Sequence, residues 1–131
     1  MSPIVVAFYV IGLAGVSLGA LTLWLNLRAS PPGISEGGWR SVRAASLAVG
    51  LMLGGVSVPL TMHLGYPIET ADGHGHVAGV PFFVAYTDRL GQDYLSVLSL
   101  ADVAGNCVFW FLAPQLALWI WATRRRSLPT A

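Results

Sequence analysis

The stretch Ala71–Phe83, ADGHGHVAGVPFF, sets Asp72, His74 and His76 at alternate positions. In extended backbone, alternate residues point the same way, so this spacing presents a carboxylate and two imidazoles together. Donors of that kind suit zinc, copper or nickel. A tight site also needs a fourth partner, for which His63 and Glu69 are the candidates, and a surrounding shell that holds each ring. Gly73 and Gly75 work against such a shell, because glycine leaves the backbone between the ligands free. The sequence therefore favours a solvated polar turn over a transition-metal site or a pH-sensitive contact. His63 also raises an interfacial haem or pigment contact, but bis-histidine ligation needs a second imidazole at matching depth, and no other histidine lies in an apolar stretch.

Other chemistry is sparse. The chain has no nucleotide-binding glycine loop, zinc-protease motif, serine-hydrolase elbow or redox cysteine pair, which argues against an enzyme and leaves no cofactor evident. The single cysteine, Cys107, sits in an apolar run and is expected to pack as a small buried side chain.

The elements that would position these residues follow from composition. Of 131 residues, 55% are hydrophobic and 10% charged, too apolar for a soluble domain of this size to cover, and a net charge of +1 gives no field for nucleic acid. The pattern predicts an all-α integral membrane protein with a single membrane domain. Helix 1 is expected over about 4–26, a polar loop over about 27–42, helix 2 over about 43–62, a long loop over about 63–92, helix 3 over about 93–123 and a tail at 124–131. Helix 1 is read as a retained span rather than a cleaved leader, since it lacks a basic start and exceeds the ~7–15 apolar residues of a leader. The first loop is expected to break at Pro31, Pro32, Gly33, Gly37 and Gly38, and Pro59 and Pro114 are expected to free one carbonyl each within their helices.

Six of seven arginines flank the first loop or close helix 3, which predicts an outside N-terminus, a cytoplasmic C-terminus and an outer long loop, in a bacterial plasma (inner) membrane. Trp24, Trp39, Trp119 and Trp121 fall near the same inner boundary.

Lipid chains and leucine are equally apolar, so helices meet where small residues allow close approach. Gly12, Gly15 and Gly19 make such a face on helix 1, and Ser46, Gly50 and Gly54 on helix 2, predicting that these two helices pair as a hairpin. Helix 3 carries Asp102 and Asn106 four residues apart, expected near the outer headgroups as anchors or loop partners, and a deeper Gln115. The outer loop is too aromatic for a solvated tether. Pro81, Phe82, Phe83, Tyr86 and Tyr94 are expected either to lid the helix ends or to dock on a partner.

The favoured function is a small accessory subunit of a larger membrane complex, with lipid and other membrane subunits or further copies of itself as partners. Electron-transfer complexes of respiration or photosynthesis are the suggested hosts, from size alone. The alternatives are a metal or haem protein using His63, His74 and His76, and an oligomeric channel or transporter with Asp102 and Asn106 at its mouth.

Overall fold

The computed structural model describes residues 3–63, 65–70, 73–83, 85–87, 93–95 and 99–126, with side chains described for 3, 6–60, 78–83 and 100–125. Three helices dominate: α1 (Pro3–Arg28), α2 (Glu36–His63) and α3 (Ser99–Arg126). All three are long and apolar enough to span a membrane.

Helix α2 begins about two turns earlier than expected, and Gly37 and Gly38 lie inside it. Ser35 is the reason. Its Oγ accepts the Gly38 N–H at 3.2 Å, and its carbonyl accepts the Trp39 N–H at 2.9 Å, the arrangement of a serine N-cap. Glu36 then falls in the first turn, where a carboxylate meets the positive end of the helix dipole, and pairs with Arg40 at 2.8 Å. A cap and a well-placed charge outweigh two glycines. The break is carried instead by Pro31, Pro32 and Gly33, the last at φ +80°.

The connection from α2 to α3, expected as a loop, holds four short strands: β1 (Gly65–Thr70), β2 (Gly73–Ala78), β3 (Ala85–Thr87) and β4 (Asp93–Leu95). They form an antiparallel meander in chain order. Pro67, which cannot donate to a ladder, falls on β1 at the edge of the sheet. Residues 93–95, expected to open helix 3, are β4, and α3 starts at Ser99 with Asp102 in its first turn.

The expected hairpin of helices 1 and 2 is replaced by a layer with α3 in the middle, against which α1 and α2 each pack. The small residues predicted to join α1 to α2 are all used, but against other partners. Gly15 and Gly19 face Phe109 and Leu112 of α3, and Gly12 faces Pro81 and Phe82. Across the layer, Gly50 lies against the Phe111 carbonyl, Gly54 lies 3.4 Å from Cys107 Sγ when given a Cβ, and Ser46 accepts a hydrogen bond from Gln115. Two small faces on α1 and α2 are complementary to the large side chains of α3, not to each other. The order of these contacts along the chains makes α1 run parallel to α3, and α2 antiparallel to both.

At the end where the arginines gather, Trp39, Leu118 and Ala122 form a buried cluster with Ile34 and Val42 against it. Trp39 is thus a core residue and not the boundary indole that its position suggested. Cys107 is only half-buried, at the seam of α2 and α3.

Candidate functional site

Helix α3 carries a column of polar groups, Asp102, Asn106 and Trp110 at successive four-residue steps and Gln115 a turn further on. Asp102, Asn106 and Gln115 are all buried. Each reaches a different element. Asp102 Oδ1 accepts the Tyr9 hydroxyl of α1 at 3.0 Å. The Asn106 Oδ1 accepts the Phe82 N–H at 2.9 Å while its Nδ2 donates to the Phe82 carbonyl at 2.8 Å. One carboxamide therefore supplies to Phe82 the donor and acceptor that a neighbouring strand would. Trp110 Nε1 donates to the Val80 carbonyl at 2.8 Å.

These bonds seat residues 79–83, GVPFF, among the helix ends. Gly79 takes φ +104°, which only glycine adopts without strain, and turns the chain inward after β2. Phe82 then lies in a slot with a glycine on each side: a Cβ on Gly12 would come within 2.7 Å of its ring, and one on Gly105 within 2.8 Å. Tyr9 meets Phe82 edge-on with centroids 5.4 Å apart, and Phe8 meets Phe83 at 5.4 Å. Pro81, Phe82 and Phe83, expected either to lid the helix ends or to dock on a partner, are buried in the chain's own core. The cause is energetic: these apolar side chains find covered sites between α1 and α3, and the backbone that carries them is satisfied there by Asn106 and Trp110.

Gln115 works deeper in the layer. Its Nε2 donates to Ser46 Oγ of α2 at 2.9 Å, and its backbone carbonyl accepts Asn26 Nδ2 of α1 at 3.0 Å, so one residue links all three helices. The Asn26 carbonyl in turn accepts Trp39 Nε1 at 3.2 Å and the Arg43 guanidinium at 3.4 Å, and Arg43 also reaches the Leu27 carbonyl at 3.1 Å. Trp39 and Arg43 thereby close the C-terminal end of α1, whose last carbonyls have no helical partner. Among the described residues no buried side-chain nitrogen or oxygen lacks a partner. A column this fully satisfied holds the elements together.

Asp102 and Asn106 do not line an open mouth within the chain, since they are 4% and 0% exposed. An apolar pocket of about 250 Å³ opens beside the inserted segment, walled by Leu53, Val56 and Leu60 of α2, by Gly79 and Val80, and by Trp110.

The candidate metal ligands lie elsewhere. Backbone register sets Glu69 of β1 opposite His74 of β2, with His76 two positions along β2 opposite Pro67. Residues 73–78 are a strand and not the loose turn that their glycines suggested. Asp72 and the side chains of His63, Glu69, His74 and His76 lie outside the described residues. Tyr86 and Tyr94 are paired in register across β3 and β4, and their side chains are likewise outside the description.

Tyr9, Asn26 and Trp110 were missed from sequence. Each had a signal: a phenol and a carboxamide in an otherwise apolar span, and an indole four residues beyond Asn106. Comparison with protein-family models, curated proteins and solved structures finds no match for this chain.

Proposed function

We propose that this chain is an integral membrane accessory subunit, which associates with a larger membrane assembly through the outward faces of α1 and α2. The carrying observation is how little of each span the layer covers: 17% of the window in α1, 17% in α2 and 22% in α3 is buried. Leu13 on α1 and Leu51 and Met52 on α2 are 61%, 67% and 69% exposed, in a layer that does not close on itself. Lipid covers such faces, and so does another subunit. The small-residue faces and Pro81, Phe82 and Phe83 take no part in that association, because those groups are occupied internally. The arginine distribution supports an orientation with that end in the cytoplasm and the sheet outside.

The test is electrophoresis of native membranes solubilised in mild detergent. The expected result is a discrete assembly of fixed stoichiometry that contains the 13.9 kDa chain and is lost from a Leu51→Asn, Met52→Asn variant. A monodisperse monomer from native membranes contradicts the proposal.

A second reading, a divalent metal held on the sheet, is favoured by one observation. The backbone register pairs Glu69 with His74 and sets His76 two positions along the same strand, so three residues of metal-ligating type fall at neighbouring ladder positions. Elemental analysis after zinc, copper or nickel loading tests it: about one equivalent is expected, lost with His74→Ala and His76→Ala together. No stoichiometric metal, or no loss in that variant, overturns it.

A further inference from the structure

Tryptophan followed four residues later by arginine occurs once in every helix, as Trp24 and Arg28, Trp39 and Arg43, and Trp121 and Arg125. That spacing sets indole and guanidinium on one helical face. The three pairs are used in two ways. In α2 the pair turns inward: Trp39 is buried, and Trp39 and Arg43 both donate to the Asn26 carbonyl. In α1 and α3 the pairs stay at the surface, with Trp24 and Trp121 exposed. There Arg28 Cζ lies 4.1 Å from the Trp24 ring centroid and Arg125 Cζ 4.5 Å from that of Trp121. Stacking occupies the face of a guanidinium and leaves its in-plane N–H fork for an anion.

Because α1 and α3 run parallel, the two stacks stand at the same end of the layer, each on an exposed helix face. We propose that these two surface stacks bind the phosphate headgroups of anionic phospholipids. Charge at this end of the helices matches that ligand: six arginines (28, 40, 43, 124, 125 and 126) stand against one carboxylate, Glu36, which is engaged by Arg40. The negative C-terminal ends of α1 and α3 also lie here, and Arg28 and Arg125 offset them. A phosphate is suited to the bidentate fork. A bilayer is the source because the exposed indoles sit at the ends of membrane-length helices, where aromatic rings settle at headgroup level and where a soluble acidic partner would have to displace lipid.

The experiment reconstitutes the full chain into nanodiscs of phosphatidylcholine with and without phosphatidylglycerol, and counts the lipids retained on release by native mass spectrometry. The wild-type chain is expected to retain phosphatidylglycerol over phosphatidylcholine. Arg28→Gln with Arg125→Gln is expected to lower that preference by about five-fold per arginine removed, the size of one basic group's attraction to an anionic surface. Arg40→Gln, which carries no indole stack and is paired with Glu36, serves as the control and is expected to lower it less. Equal retention of the two lipids by the wild-type chain overturns the proposal. So does an unaltered preference in the double variant, or a loss as large in Arg40→Gln, which would mark diffuse attraction without a site. Displacement of the retained lipid by millimolar inorganic phosphate overturns the assignment to lipid.

Discussion

Asn106 is the residue on which the inserted segment depends most, because its two amide atoms satisfy both polar groups of the Phe82 backbone. Asn106→Leu leaves a buried N–H and a buried carbonyl without partners, each costing about 1–3 kcal/mol, and the expected outcome is a lower unfolding midpoint in detergent with faster proteolysis near Phe82. Asn106→Asp keeps the acceptor and is expected to lose less. Tyr9 and Asp102 form a simpler pair at 3.0 Å. A double-mutant cycle with Tyr9→Phe and Asp102→Ala is expected to give a coupling of about 0.6 kcal/mol and at most ~1.7, the range of such bonds between membrane helices. A coupling near zero would mean that burial alone holds this end together. The sequence made Asp102, Asn106 and Gln115 legible as polar groups in an apolar helix, since such groups must find partners. It did not give the partners: Phe82 is 24 residues from Asn106, Ser46 is 69 from Gln115, and no local pattern encodes such pairings.

Among the elements, the helices were legible and their neighbours were not. Length and apolarity fix a span within a few residues, whereas the start of α2 depended on Ser35 acting as a cap ahead of two glycines. The strands were hidden because GHGHVA has neither the alternation nor the β-branched content of a half-buried strand. The small faces of α1 and α2 were recognised, but small residues specify close approach without saying to what. The large side chains that fill them, Phe109, Phe111 and Leu112, lie on α3. Two glycines of α2 separate the alternatives. Gly50→Leu drives a side chain into the Phe111 carbonyl and is expected to destabilise by about 1–3 kcal/mol, whereas Gly55→Leu, where a Cβ meets nothing within 4 Å, should leave the unfolding midpoint almost unchanged. Comparable losses at both positions would indicate that α2 also packs on its other face.

At the scale of the whole molecule, α3 is the central element, joined to α1 and α2 by side chains and to the inserted segment by Asn106 and Trp110. This leaves two broad apolar surfaces on a flat layer, from which the accessory role is proposed. Everything rests on α3 lying between its neighbours, and disulfide formation in native membranes reports it most directly. With Gly54→Cys beside the native Cys107, whose Sγ lies 3.4 Å from a Cβ at that position, oxidation is expected to cross-link α2 to α3. In a Cys107→Ser background, Gly19→Cys with Leu112→Cys should cross-link α1 to α3, and Gly15→Cys with Gly50→Cys should not react. Rapid cross-linking of that last pair, with the two α3 pairs silent, would restore the hairpin of α1 and α2 and contradict the layer.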